Sequence, residues 1–320
     1  MPLLTIDADA TRRALPFPAL IDALRRAFAA GAEVPRRHVH AIANPQGEAG
    51  TLLVMPAWRA GHHLGIKTVS IFPGNAARGL PALHSTYLLH DASTGAALAL
   101  IDGDEITARR TTAASALAAS FLARSDAARL VIAGAGRVAS LLPEAMRAVR
   151  PIASVGVWGR RAAAAETLAA GLRERGFAAE TVTDFEAAVK GADIVSCATL
   201  ATEPLVRGAW LRPGTHLDLI GSFTPAMRET DAECFARSRV FVDTTEALEK
   251  AGDVLEAIAA GSFSPAALQG TLATLCRGEA TGRSSDPDIT LFKSVGSALE
   301  DLAAAELVFA AARPPDSSLS

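Results

Sequence analysis

Residues 129–139 read Arg-Leu-Val-Ile-Ala-Gly-Ala-Gly-Arg-Val-Ala, and this segment most narrowly limits what the 320-residue chain can fold into. An apolar run ends at Gly134, and Gly134, Gly136 and Ala139 then keep the spacing Gly-x-Gly-x-x-Ala into a helical pattern. Each small residue has a physical role. Gly134 permits a tight strand-to-helix turn, Gly136 lets the backbone approach a pyrophosphate, and Ala139 lets the helix pack close to the sheet. The N–H groups and dipole of the helix start favour an anion there, with Ala135, Arg137 and Val138 completing the loop.

The surroundings strengthen the reading. Strands are predicted at 155–158, 194–198, 216–220 and 240–242, with helices at 138–150, 162–175 and 185–190. Alternation of this kind builds βαβ units and a parallel sheet. Pro143 removes a helical N–H and leaves the later turns of its helix open. Before residue 120 the pattern differs. A helix is predicted at 18–30, with Leu20, Ile21, Leu24 and Phe28 on one face and Gly31 closing it. Strands are predicted at 51–55 (stopped by Pro56), 65–71, 85–91 and 96–101. That spacing suggests a largely antiparallel sheet. An Ala-rich helix at 107–123 connects the two regions, and a last helix is expected at 297–312, with residues 314–320 frayed.

Composition removes several classes of function. Half of the residues are apolar and a fifth are charged, so global disorder is excluded. Lys and Arg number 31 against 34 Asp and Glu, a net charge of −3. With no basic surplus to neutralise phosphates, nucleic acid is not an expected partner. No run reaches the length of a membrane span, so none is expected. Cys197, Cys234 and Cys276 show neither disulfide nor metal spacing. Residues 1–7 turn acidic too soon for a secretory signal. The expectation is a cytoplasmic protein without a metal.

Individual charges carry more information. In NAD-binding proteins an acidic residue at the end of the second strand grips the ribose hydroxyls. Here that strand ends Trp158-Gly159-Arg160-Arg161, with no carboxylate before Glu166. Two guanidinium groups suit a 2′-phosphate; the alternative is two ordinary surface residues in an arginine-rich chain. NADPH is the expected cofactor, with NADH as the other option. Lysine occurs only at 67, 190, 250 and 293. Lys67 interrupts a run that reads as buried strand, where an ammonium needs an anionic partner or a ligand. Arg109 and Arg110 fall in the first turn of the predicted helix, against its dipole. Either Asp102, Asp104 and Glu105 compensate them or an anionic ligand does. Arg37 lies in the same half. Adjacent His62 and His63 face opposite ways on a strand and do not read as a metal pair. Cys197 reads as packing, and Asp301 as a helix cap or a dimer contact.

Several of these residues sit in motifs that occur in order: Gly65-Ile-Lys67-Thr-Val, Phe72-Pro-Gly-Asn, Gly79-Leu-Pro-Ala, Asp102-Gly, Ile106-Thr-Ala-Arg-Arg110-Thr, Gly134-x-Gly136, Ala201-Thr-Glu-Pro204, Arg212-Pro-Gly-Thr-His216 and Leu291-Phe-Lys293-Ser-Val-Gly-Ser-Ala-Leu-Glu-Asp301. Together they resemble the ornithine cyclodeaminase/mu-crystallin family from about residue 30 to 310. The resemblance implies an α/β fold with a Rossmann-type dinucleotide-binding domain at 121–296. It also implies an α+β substrate-binding and dimerisation domain at 1–120, completed by 297–320, and a homodimer. It implies that Arg37, Lys67 and Arg110 surround a substrate carboxylate beside Met55, with Lys67 near the reacting carbon. Thr111, Ala198, Thr199, Leu200 and Ser294 are implied along the cofactor, with Gly159.

Members differ in one loop. Cyclodeaminases and related alanine dehydrogenases have an Asp in a Gly-x-Asp-x-Pro loop; here it reads Gly221-Ser-Phe223-Thr-Pro225. A carboxylate base suits removal of protons from an ammonium group before hydride leaves. A preformed cyclic imine needs a proton instead, and Phe223 suits a flat ring. The resemblance therefore favours reduction of a small cyclic imine carboxylate, Δ1-pyrroline-2-carboxylate or Δ1-piperideine-2-carboxylate, to proline or pipecolate. The alternatives are an amino-acid dehydrogenase, an ornithine cyclodeaminase, or a non-catalytic binding protein of the mu-crystallin kind.

Overall fold

The computed structural model describes residues 3–45 and 47–313. In chain order its elements are β1 (Leu4–Ile6), α1 (Ala8–Ala14), α2 (Phe17–Ala30), β2 (His38–Ile42), β3 (Gly50–Trp58), β4 (His63–Ile71), β5 (Leu83–Asp91), β6 (Ala97–Asp102) and α3 (Gly103–Leu122). Then follow β7 (Arg129–Ala133), α4 (Arg137–Arg147), β8 (Ser154–Trp158), α5 (Ala162–Glu174), β9 (Ala178–Thr181), α6 (Phe185–Gly191), β10 (Ile194–Cys197) and β11 (His216–Leu219). The chain ends with α7 (Ala232–Ala236), β12 (Arg239–Val242), α8 (Ala247–Lys250), α9 (Gly252–Ala259), β13 (Gly270–Thr271), α10 (Leu272–Cys276), β14 (Thr290–Lys293) and α11 (Ala298–Ala312). Residues 314–320, expected to fray, lie outside the described residues.

Two compact units result. Residues Met1–Arg110 and Ser297–Ser320 form one, and Thr111–Gly296 form the other. In the first, six strands are ordered β1-β6-β5-β4-β3-β2, with every pairing antiparallel except β1 with β6. Alternation sets the faces: Lys67 and Val69 of β4, and Ser85, Tyr87 and Leu89 of β5, are buried at every second position. Helix α11 packs on β3, β4, β5 and α2. Residues 298–305 of α11 are buried on every side, so this helix is central rather than amphipathic.

Two sequence expectations fail here for visible reasons. Pro56 does not stop its strand, which pairs through to Trp58. β2 has ended opposite Val54, so a proline falls beyond that ladder, where a missing N–H is tolerated. α3 begins at Gly103 rather than 107, because the Asp102 carboxylate accepts from the Glu105 N–H at 2.7 Å and caps the helix. Arg110 therefore lies in the second turn, and the dipole argument against it does not apply.

The second unit is an eight-stranded, wholly parallel sheet, ordered β13-β12-β14-β11-β10-β7-β8-β9. From β9 to β11 this is the 3-2-1-4-5 order of a doubly wound nucleotide-binding sheet, with β14 inserted before β12. The order reverses between β7 and β10, where such sheets bind ligands. Strands β10 and β11 are buried throughout, as parallel strands covered on both faces must be.

Candidate active site

In the first unit, register lines up one group of candidate residues. Met55 pairs with Lys67 and Lys67 with Tyr87, which places all three side chains in a row on the helix-covered face. Arg37 lies one residue before β2, whose ladder with β3 begins at the His38–Val54 pair. Met55, Lys67 and Tyr87 are all buried, and Arg37 is partly exposed.

Into this row α11 projects two carboxylates. Asp301 Oδ2 makes an ion pair with Lys67 Nζ at 2.7 Å, and Oδ1 accepts from Arg110 Nε at 2.9 Å. Glu300 accepts from Arg110 Nη1 at 2.7 Å. Lys67 Nζ also lies 3.4 Å from the Thr107 hydroxyl. The counter-charges come from the far end of the chain. Asp102, Asp104 and Glu105 serve elsewhere: Asp104 accepts from Ser85 Oγ at 2.6 Å, and Glu105 from Arg12 Nε at 3.1 Å. Arg109 donates to the Leu15 carbonyl at 2.8 Å and stacks over Phe17. Asp301 is thus part of the cationic cluster, not a helix cap or dimer contact, and it accounts for the buried ammonium without a ligand.

The cluster sets the proton affinities of its members. Burial lowers the Lys67 ammonium to about 8; Asp301 opposes that fall, and Arg110 adds to it. Burial works against the Asp301 charge too, but Lys67 and Arg110 outweigh it and hold the carboxyl below its usual range. Arg110 stays charged in the same way, Asp301 and Glu300 overcoming its burial. Burial raises the Tyr87 hydroxyl well above its usual value, and Asp301 and Glu306 push it the same way. That hydroxyl has no hydrogen-bond partner among the described residues. Arg110 spends Nε and Nη1 on α11, and its Nη2 carries no hydrogen bond to a described residue. A guanidinium with one nitrogen to spare, beside an ammonium that holds its proton only loosely, can bind a carboxylate and release a proton nearby.

In the second unit, the glycine loop has the geometry its spacing implies. Gly134 adopts φ +123°, and a Cβ there would sit 2.6 Å from the Ala198 carbonyl oxygen. Its N–H donates to the Trp158 carbonyl at 2.8 Å, which ties the ends of β7 and β8 together. Gly136 is the N-cap of α4 with no side-chain cap, and a Cβ there would meet nothing within 4 Å. The first N–H groups of α4 thus front open space, and Ala139 is fully buried beneath them. These features fit a pyrophosphate. Gly159, Arg160 and Arg161 follow β8, and both arginines are exposed at the helix start. Ala135, Arg137 and Val138 lie on the loop and the first turn of α4.

Beyond β10 and β11, Ala198 and Thr199 are half-buried, Leu200 is 71% exposed and Phe223 is 37% exposed. Thr199 donates its hydroxyl to Glu229 at 2.8 Å, and the buried Ser294 donates its own to Asp243 at 2.9 Å. Thr111 follows Arg110 on α3 and is half-buried. Sequence reasoning missed the carboxylates behind these residues, Glu229, Asp243 and Asp253, and it missed Lys293, Glu300 and Tyr87. Lys293 alone left a usable signal: like Lys67, it is a lysine in an apolar run. Among the described residues no group of His, Cys, Asp and Glu could hold a metal, and no helix is long and apolar enough to cross a membrane. His63 Nδ1 lies 3.0 Å from Glu306.

Comparison with known proteins agrees with this architecture. The model of the ornithine cyclodeaminase/mu-crystallin family matches residues 8–314. The chain is 43% identical over 261 residues to the Δ1-pyrroline-2-carboxylate reductase of Paracoccus denitrificans, covering 81% of this chain and 83% of that protein. Among solved structures it is similar to the Thermococcus litoralis Δ1-pyrroline-2-carboxylate reductase in complex with NADH and L-proline, at 34% identity and TM-score 0.90 over 97% of both chains. It is also similar to an archaeal alanine dehydrogenase dimer with bound NAD, at 29% identity and TM-score 0.90 over 98% of this chain and 96% of that one. The chain belongs to the ornithine cyclodeaminase/mu-crystallin family.

Proposed function

We propose that this protein is an oxidoreductase that reduces a cyclic imine carboxylate, Δ1-pyrroline-2-carboxylate or its six-membered homologue, to the corresponding cyclic amino acid. The observation that carries the reading is the buried Lys67–Arg110–Asp301 cluster, with Arg110 Nη2 uncommitted and Met55 on the same row as Lys67. Its likeness to reductases of this substrate, and Phe223 where deaminating relatives carry Asp, support it further.

The Gly134–Gly136 loop and the first turn of α4 would hold the pyrophosphate of a nicotinamide dinucleotide, with Arg160 and Arg161 at its adenosine ribose. The loops that carry Thr199 and Phe223 would flank the nicotinamide end. Bound there, a reduced nicotinamide supplies the hydride that C2 of the imine accepts. The chain's own residues do the rest. Arg110, Lys67 and Arg37 bind the carboxylate, which fixes the ring in one orientation. Phe223 brings an apolar side chain, and no base, to its loop. Lys67, with its proton held only to about 8, gives a proton from Nζ to the ring nitrogen and regains one from solvent. One hydride on C2 and one proton on nitrogen convert C=N to CH–NH, and the reaction balances. Exposed arginines where an acidic residue would grip the ribose favour NADPH; NADH remains the competing choice.

The test is oxidation of NADPH and of NADH in the presence of each cyclic imine, with product identified by chromatography. Proline or pipecolate formation is expected. No turnover between pH 5 and 9, or ammonia release from ornithine under the same conditions, would overturn the proposal.

A further inference from the structure

The loops at the carboxyl end of the parallel sheet are gripped from beneath by buried carboxylates. Glu229, in the segment after β11, is fully buried and accepts four hydrogen bonds from two loops. Its Oε1 takes the Thr199 N–H and the Thr199 hydroxyl, each at 2.8 Å. Its Oε2 takes the Gly221 N–H at 3.0 Å and the Ser222 N–H at 3.3 Å. Asp253 of α9 holds the same segment from the other side, through the Ser222 hydroxyl at 2.5 Å, the Glu229 N–H at 2.7 Å and the Thr230 N–H at 2.9 Å. Lys293, at the end of β14, sits between them, with Nζ 3.4 Å from Asp253 and 4.0 Å from Glu229. The two loops also abut, since a Cβ on Gly221 would lie 2.2 Å from the Thr199 nitrogen.

We infer that Glu229 is a positioning residue for the nicotinamide end of the site, acting through the Thr199 loop and through the turn that carries Phe223. The inference rests on the dinucleotide reading above. In a doubly wound sheet the dinucleotide lies across the carboxyl ends at the point where strand order reverses, one half on each side. The pyrophosphate loop follows β7 and the arginines follow β8, so the nicotinamide half falls on the side of β10 and β11, the two strands whose loops Glu229 joins. Only an ionised carboxylate offers acceptors on both oxygens; an amide turns one of them into a donor that faces N–H groups. Burial has already pushed the Glu229 carboxyl up to about 7, and Lys293 opposes that rise. Lys293 thus favours the accepting form, against burial and the neighbouring Asp253.

Glu229→Gln preserves size and breaks the grip on one loop. The expected result is a kcat for imine reduction lower by about 100-fold, the order that a misplacement near 1 Å produces. The KM for the dinucleotide should stay within about threefold, because the pyrophosphate loop is untouched. The isotope effect from cofactor deuterated at the transferred position should rise, as hydride transfer becomes limiting. Ser222→Ala, which removes one hydrogen bond and no charge, should show the same pattern more weakly and guards against misfolding of the first variant. A readout independent of turnover is the fluorescence anisotropy of bound NADH or NADPH, which should fall in Glu229→Gln at saturating protein. Wild-type binding without turnover of any imine would sink the functional reading, while the anisotropy comparison would still decide the role of Glu229. Unchanged kcat, isotope effect and anisotropy in both variants would overturn the inference. So would a kcat loss matched by an equal rise in KM and a lowered melting temperature.

Discussion

Replacing Asp301 by Asn removes the one carboxylate that Lys67 and Arg110 share and leaves the shape of the side chain unchanged. Lys67 Nζ and Asp301 Oδ2 are 2.7 Å apart and both are buried. At that distance, with an effective dielectric constant of about 20, their attraction is about 6 kcal/mol. If side-chain relaxation and entering water leave a quarter of this uncompensated, the ammonium is destabilised by about 1.5 kcal/mol, or about one pH unit. The Lys67 ammonium, already lowered to about 8 by burial, then titrates near 7 or below. The sign follows from the proposed role. Lys67 must carry a proton to donate one, so kcat/KM is flat on the acid side and falls as pH rises through its pKa. In Asp301→Asn that fall should begin at least one unit further to the acid side. Breaking a buried pair also costs about 3 kcal/mol or more of stability, so a melting curve must first show that the variant is folded at the assay temperature. The assay is kcat/KM for the cyclic imine from pH 5 to 9.5 in constant ionic strength. A limb that belongs to the substrate would be common to both proteins. An unmoved limb in folded Asp301→Asn, or one displaced toward alkaline pH, would refute the assignment of Lys67 as proton donor.

Two further outcomes concern the dinucleotide. Arg160→Ala combined with Arg161→Ala should raise the KM for NADPH by about tenfold or more and leave that for NADH within about twofold, since two phosphate-binding forks are lost; equal KM changes for both cofactors would remove the arginines from cofactor choice. Gly134→Ala places a methyl 2.6 Å from the Ala198 carbonyl oxygen at φ +123°, so titration of the variant with NADH should show affinity lower by about 100-fold, and wild-type affinity would show that the loop does not carry the pyrophosphate.

The parallel sheet could be read in the sequence because its strands are continuous apolar runs broken by helices, the pattern that burial on both faces imposes. Three of the strands that escaped prediction share a cause. β9 reads Ala-Ala-Glu-Thr, β2 is exposed at all five positions, and β1 spans three residues. None of them alternates or accumulates enough apolar character to register. Alanine carried less information than its burial warrants. Ala113, Ala114, Ala116, Ala118 and Ala119 read only as part of an Ala-rich helix, yet each is wholly buried in α3. A helix packed on all sides needs small residues, and the sequence alone does not say which of them are buried.

The site posed a harder problem, because a buried cation announces only that it has a partner. Lys67 and Lys293 give the same signal, a lysine inside an apolar strand, and the structure answers both with carboxylates distant in sequence: Asp301 for one, Glu229 and Asp253 for the other. No local pattern links position 67 to position 301, since only the docking of α11 onto β4 brings them together. Charge compensation therefore does not separate a binding cluster from a structural one. The distinction lies in what each cluster has left over. Around Glu229 all four hydrogen-bond donors come from the chain's own loops, and the cluster's work is spent on holding them. Around Asp301 the guanidinium of Arg110 keeps Nη2 uncommitted, and Lys67 holds its proton only to about 8. A spare planar donor and a labile proton in one buried place are what a carboxylate with a basic ring nitrogen requires, so the proposed binding role falls to the Asp301 cluster and the supporting role to the Glu229 cluster.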